Sequence, residues 1–406
     1  MTITLLETDP VVGGIDTHQD LHWAAVVDHT GHVLGTEAFS TTRSGYRAML
    51  VWLRSKGDVC RVGVESTGSY GAGITRHLAL AGIPVLEVTR PDLESRRRQG
   101  KDDSIDAVAA AHAALWGQRV QVAKDRDGAV EALRTLRTTR RSAVKARRAT
   151  LQLLHNTIVT APDEIRDQVR NMTRMQRLRT CASWRPDVIG YRDPATSAKI
   201  ALKALARRIL MLNDEIADLD RLIEPLVEEL ASALLALPCI GVESAGEFLV
   251  TAGDNPSRLR SEASFAMLCG ASPIPASCGK TNRHRLNRGG DRQANSALHM
   301  VVVSRMRTDE RTPAYVERRL REGLSKKEIV RCLKRLWPAR CFVPWSSRAR
   351  ERLRSPPAVH IGQPAASRSH EVHDRASSDK SQSERARSRR QGRQPRVAGA
   401  ARSEAP

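Results

Sequence analysis

Val11-Val12-Gly13-Gly14-Ile15-Asp16 is a short apolar run that ends on an acid. A run of this length bounded by turn residues predicts a β-strand. His22 to Val27 and His32 to Phe39 have the same character, and Asp28 to Gly31 supplies a turn between them, so a three-strand meander is expected. Beyond it the period changes. Ser44 to Lys56 carries Tyr46, Met49, Leu50 and Leu53 at helical spacing, Arg61 to Glu65 reads as a strand, Gly71 to Ala81 as a helix and Ile83 to Val88 as a strand. A further helix is expected from about Asp102 to Leu115. Hairpins that give way to alternating strands and helices predict one mixed sheet covered by helices, an α/β domain.

Acids fall at the ends of these elements. Asp16 closes the first strand and Glu65 the fourth, while Asp103 and Asp106, three apart, share one face at the start of a helix. If the first and fourth strands are neighbours, Asp16 and Glu65 emerge side by side and the helix can bring Asp103 and Asp106 to meet them. Four hard oxygen donors suit Mg²⁺, and two such ions can polarise a phosphodiester. Each acid alone also reads as a solvated strand edge or a helix-terminal charge. Asp102, four residues before Asp106, competes with Asp103.

The charge balance names the partner class. Among 406 residues, 66 Lys and Arg face 45 Asp and Glu, a formal net charge of +21. Nucleic acid is the leading partner for such a surface. Aromatic residues make up 3%, so contacts are expected to rest on phosphate charge more than on base stacking. The seven cysteines are scattered without a CxxC pair, which argues against structural zinc and a disulfide framework. No apolar run approaches the roughly 18 residues of a membrane span, and the chain reads as cytoplasmic.

From about Asp127 to Leu237 strand signals stop. Arg134, Arg137, Arg141, Lys145 and Arg148 align on one helix face, which reads either as a solvated face or as a phosphate-facing stripe. Leu205, Ile209, Leu212, Ile216, Leu219, Ile223 and Leu226 approach a heptad rhythm, predicting helix pairing or self-association. After Leu237 come short helices, a basic glycine-punctuated loop from Ala276 to Gly290 and a helix from Asp291 to Met306.

The tail differs from the rest. Residues 336–406 hold 15 basic and 6 acidic residues and Pro356-Pro357, with no sustained apolar period after Trp345, so a disordered basic tail is expected. It reads either as an RNA-binding tail or as an accident of reading frame. Back-translating Trp337 to Trp345 with GC-rich codons and starting one base earlier gives Met-Ala-Arg-Glu-Val-Phe-Arg-Pro-Leu, which continues the helix from Lys326 to Arg335 better than the written residues do.

Taken in order, Gly14-Ile15-Asp16-Thr17-His18, Val64-Glu65-Ser66-Thr67-Gly68 and Lys101-Asp102-Asp103-Ser104-Ile105-Asp106-Ala107 resemble the DEDD transposases of the insertion sequence 110 family. The resemblance continues in Ala236-Leu-Pro-Cys-Ile-Gly241, in Gly270 to Lys280 and in Arg288-Gly-Gly-Asp-Arg-Gln-Ala-Asn295. It implies an RNase H-like, RuvC-like domain over residues 11–125 after an extension at 1–10. It also implies a transposase domain with a serine loop at 237–335, mainly α by pattern; the helical coiled-coil region at 126–236 is read from periodicity, and the disordered tail at 336–406 is read as frameshifted from the back-translation. The family pattern assigns Asp103 and Asp106, with Asp102 where a hydroxyl residue is commoner. It also places a serine nucleophile at Ser277, with Lys280, Arg283, His284, Arg285 and Arg288 beside it to neutralise phosphate. Cys239 stands where glycine is usual, which would strain a turn that needs positive φ, and Cys278 stands where a second Ser or Thr is common.

The function implied is strand cleavage and rejoining that moves an insertion element, in a homo-oligomer guided on DNA by a structured bridge RNA. Two other readings stay open. One is a RuvC-like junction nuclease that uses the carboxylates and water alone; the other is a decayed copy that binds nucleic acid without reacting.

Overall fold

The computed structural model describes residues 9–89, 102–280, 284–285 and 287–338. The tail beyond 338, Arg283 and the first eight residues therefore lie outside the described residues. Strands β1 (Pro10–Thr17), β2 (Leu21–Val27) and β3 (Val33–Ser40) form the expected meander, followed by α1 (Arg43–Ser55), β4 (Asp58–Glu65), α2 (Ala72–Leu80) and β5 (Val85–Val88). Helix α3 (Asp103–Trp116) leads to a strand the sequence did not announce, β6 (Val120–Val122). With three residues, β6 is too short to show a period. The sheet order is β3-β2-β1-β4-β5-β6. β1 to β3 pair antiparallel, β4 and β5 run parallel to β1, and β6 is antiparallel to β5.

Alternation along β1 decides what each face does. Val11 and Ile15 pack with Met49, Leu53, Ile74 and Leu78 of α1 and α2, whereas Val12 packs with Ala111 and Ala114 of α3. Gly14 and Asp16 share the α3 face. A Cβ on Gly14 would collide with Ala111 N and Ala107 O, and one on Gly63 would lie 2.5 Å from Ala110 O. Glycine is therefore required at both positions for α3 to sit backbone to backbone on β1 and β4.

Helices α4 (Ala129–Thr160) and α7 (Pro194–Leu235) form a long hairpin, closed at its far end by α5 (Asp163–Val169) and α6 (Arg174–Ser183). The pair is antiparallel: Arg140 bonds Asp220 and Arg147 bonds Asn213, so partner numbers fall as the chain advances. Leu202, Ile209, Ile216 and Ile223, spaced by seven, are all buried, so the heptad seam is occupied within one chain. Ala231 leaves helical geometry at φ −129°, ψ 24°, and kinks α7.

Helices α8 (Val242–Ala252), α9 (Glu262–Leu268), α10 (Arg292–Thr308) and α11 (Arg311–Arg321) follow, with a small ladder of β7 (Ile274–Pro275) and β8 (His284–Arg285). Within the expected basic loop, His284 and Arg285 pair back on Ile274 and Pro275. Residues 326–338 are helical. Ile329, Leu333 and Trp337 enter the same core as Val130, Leu133, Ile223 and Phe248, and Trp337 lies 4.2 Å beneath the Arg305 guanidinium. Placing the start of the disordered tail at 336 was therefore too early, because Trp337 completes a core face.

The two halves are joined by specific polar contacts. Asp254 accepts hydrogen bonds from Val130 N (2.8 Å) and Glu131 N (3.1 Å), capping α4 from 123 or more residues away in the chain. Lys124 Nζ donates to Val250 O at 3.1 Å, and Asn255 Nδ2 to Ala123 O at 2.8 Å.

Candidate metal centre and nucleic-acid interface

Seating α3 on the two glycines fixes its first turn over the ends of β1 and β4. The stripe Asp103, Asp106, Ala107, Ala110, Ala111 and Ala114 faces the sheet, so the alanines meet the glycines and the acids meet Asp16 one turn earlier. Asp106 and Asp16 are buried and Asp103 half-buried. Burial raises the Asp16 pKa; His18 opposes the shift, and the negative charges of Asp106 and Asp103 add to it. Glu65, half-buried, stands one position past the Ile15↔Val64 pair of the parallel ladder. Thr17 Oγ1 donates to its carbonyl at 3.1 Å. Ser66, immediately after, has φ 51°, a strained turn of the kind that functional sites retain.

Asp102 is placed differently. It is the exposed N-cap of α3, accepting from Ser104 N at 3.0 Å, while Asp103 Oδ1 lies 3.3 Å from His18 Nε2. Asp103, and not Asp102, is thus the acid that faces His18. His18 Nε2 is also 3.0 Å from Asp16 Oδ2, and one ligand atom from each of Asp16, His18 and Asp103 lies within 4.8 Å of the others. The Gly14 to His18 motif by itself assigns His18 no chemistry. The signal was present: residues 14, 16 and 18 share one parity, so His18 continues the face that carries Asp16. A donor set of two carboxylates and an imidazole, backed by a third carboxylate, fits a divalent cation.

The first half of the basic stripe is drawn into ion pairs, and one of its members, Arg137, is buried. Arg137 is 4% exposed, and its guanidinium bonds Glu243 and Glu247 at 3.0 Å each. Arg141 shares Glu247 at 2.9 Å, and Arg134 pairs with Glu131 at 2.6 Å. A phosphate-facing role for Arg137 is corrected: helix spacing gave the face but not the acids on α8 that cover it. Lys145 and Arg148, farther along α4, are exposed.

Ser277 and Lys280 are exposed between β7 and β8, and Arg285 on β8 and Arg288 just beyond it are exposed as well. The motif around Ser277 is a scaffold. A Cβ on Gly290 would collide with the backbone of Gly270, Asp291 caps α10 through Gln293 N at 2.8 Å, and Asn295 ties the Cys269 and Gly270 carbonyls at 2.9 and 3.1 Å. Lys334 Nζ donates to Asn295 Oδ1. A cavity of about 780 Å³ opens between the β7–β8 ladder and helix 326–338, with His284, Arg285, Tyr315, Arg331 and Lys334 in its wall. Cys239 has φ 65°, the left-handed turn that its place in the sequence foretold.

No described helix is long and apolar enough to cross a membrane. Residues 13–161 match a transposase family model of the DEDD type named for insertion sequence 110, and residues 231–317 match the transposase IS116/IS110/IS902 family. The insertion element IS900 uncharacterized 42 kDa protein of Mycobacterium paratuberculosis is 22% identical over 373 residues, 80% of this chain and 93% of that protein. The insertion element IS110 uncharacterized 43.6 kDa protein of Streptomyces coelicolor is 27% identical over 134 residues, 32% of this chain and 33% of its own length. The DEDD match implies an RNase H-like α/β fold, and the mixed sheet with its acid-bearing helix is consistent with that.

Proposed function

The chain belongs to the IS116/IS110/IS902 transposase family, and from that premise we propose that it cleaves and rejoins DNA strands with two separate groups, a carboxylate metal site and a serine. The observation that carries the reading is the convergence of Asp16, His18 and Asp103 on one point, with Asp106 buried behind them. Asp16, Glu65, Asp103 and Asp106 would hold two Mg²⁺ ions in a RuvC-like site. Such ions polarise a phosphodiester and offset the charge that builds on its oxygens.

Ser277 is the proposed nucleophile. Its oxygen bonds to phosphorus as the bond to a sugar oxygen breaks, and the departing hydroxyl carries the proton that serine gives up. Lys280, Arg285 and Arg288, close to it in the sequence, are exposed and offset the phosphate charge; Arg283 is proposed to join them on sequence alone. Lys145 and Arg148 would grip the backbone of bound DNA or of a structured guide RNA. The serine of one subunit would act beside the carboxylates of another in a homo-oligomer. The domain limits stay as proposed for 11–125 and 126–236, and the C-terminal domain extends to at least 338.

The test is purified protein with Mg²⁺, RNA flanking the element and end-labelled donor DNA, resolved on a denaturing gel. Wild type should give a covalent protein–DNA adduct, Ser277→Ala no adduct, and Asp106→Asn neither adduct nor cleavage. Cleavage that survives Ser277→Ala undiminished would replace this reading with a hydrolytic junction nuclease. Binding without any cleavage by wild type would identify a decayed copy.

A further inference from the structure

Four carboxylates alone would make an oxygen site suited to Mg²⁺. The site described here contains a nitrogen. His18 Nε2 lies 3.0 Å from Asp16 Oδ2 and 3.3 Å from Asp103 Oδ1, on the same side of the sheet end. A single ring nitrogen holds either one proton or one lone pair, so it cannot fully satisfy both carboxylates by hydrogen bonding, whereas one cation satisfies all three groups together. Neighbouring ligands around an octahedral ion with bonds of about 2.1 Å stand about 3 Å apart, close to the 3.0 and 3.3 Å that separate His18 Nε2 from the two carboxylates.

The residue is also held for this purpose. His18 N donates to His22 Nδ1 at 3.4 Å, and His22 is fully buried and stacked on Tyr46 at 5.8 Å. The imidazole thus extends from an anchored backbone, with 44% of its side chain open to an arriving ion. Asp16, its partner, is 9% exposed at the side chain, so the ion would meet one fixed oxygen and one fixed nitrogen.

We propose that His18 is an inner ligand, through Nε2, of the divalent ion held by Asp16 and Asp103, and that this mixed nitrogen–oxygen centre selects Mn²⁺ over Mg²⁺. The proposal rests on the carboxylate metal-site reading above. Imidazole suits later first-row ions best, but Mn²⁺ still accepts a nitrogen ligand beside carboxylates more readily than Mg²⁺, which keeps water and oxygen ligands and dehydrates reluctantly. The competing role is a counter-ion: an imidazole that bridges the two acids in the metal-free protein and swings away on loading.

Pulsed electron paramagnetic resonance of the full chain loaded with Mn²⁺ separates the two. A directly bound imidazole gives nitrogen modulation that changes when histidine is ¹⁵N-labelled, with no substitution required. Calorimetric titration with MnCl₂ and MgCl₂ adds selectivity: His18→Asn should weaken Mn²⁺ at least about tenfold, the scale on which even outer-shell partners act, and Mg²⁺ far less. Mn²⁺ that binds without nitrogen modulation, or equal loss of both ions in His18→Asn, overturns the role of His18 while leaving the carboxylate site intact. If Asp16→Asn binds both ions as wild type does, the carboxylate reading itself fails and takes this proposal with it.

Discussion

Cys239 holds a left-handed backbone at φ 65° in the turn that follows Pro238, where a Cβ meets the neighbouring carbonyl. Its thiol contact with Thr308 Oγ1 at 3.1 Å is weak compensation. Cys239→Gly is expected to stabilise the protein by about 1 kcal/mol, measured as a higher urea midpoint with an unchanged slope. Lys124 carries a different strain. Burial, with Arg258 nearby, lowers its pKa to about 8 from an ordinary 10.5, and its ammonium donates to Val250 O. Between those two pH values the unfolded chain still binds the proton that the folded chain has released, so the folded state gains stability as pH rises through that window. The gain is about 1–3 kcal/mol after allowing for partial exposure. Urea unfolding at pH 7.5 and pH 10 should show this gain in wild type and none of it in Lys124→Met; an equal rise in both would refute it. At this scale Asp16 and Cys239 were legible from position in the sequence. Spacing alone left Asp102 and Asp103 open and only the family pattern preferred Asp103, because the choice depends on which acid caps α3 and which faces inward.

Helix α3 shows why the elements were readable and their contacts less so. Its start and its length follow from period and turn residues, whereas the pairing of β1 with β4 entered the sequence reading only as a condition and is supplied by the parallel ladder of the structure. What spacing could not reveal is that Gly14 and Gly63 exist to admit Ala107, Ala110 and Ala114. Gly14→Ala should push α3 off the sheet, costing on the order of 1–3 kcal/mol as overpacking usually does. Because the same helix carries Asp103 and Asp106, divalent-ion affinity should fall although no ligand has changed. Calorimetry on the variant checks this, and unchanged affinity would mean that the acids are not positioned through the glycine seat. Helix α4 taught the opposite lesson. Its cationic face was visible at 134, 137, 141, 145 and 148, yet Glu243 and Glu247, more than 100 residues away, cover its root. Long-range ion pairs leave no periodic trace in one sequence.

The whole molecule joins an acid-bearing sheet to a helical domain by way of the α4–α7 hairpin, and the last described helix matters to that union. Trp337 is 5% exposed in the C-terminal core. Truncation after residue 338 should leave the urea midpoint near that of the full chain while reducing the salt dependence of DNA binding, since the tail carries 15 basic residues. Trp337→Ala should instead cost about 3–5 kcal/mol. Equal stability of Trp337→Ala and wild type would show that Trp337 does not complete that core. The central claim is that Asp16, Asp103 and Asp106, remote in sequence, share ions at one sheet end. Crystals soaked in MnCl₂ and measured at the manganese absorption edge test it most directly. Anomalous peaks are expected within bonding distance of Asp16 and Asp103 in wild type and absent in Asp16→Asn; manganese bound elsewhere, with that sheet end empty at saturating concentration, would contradict the account.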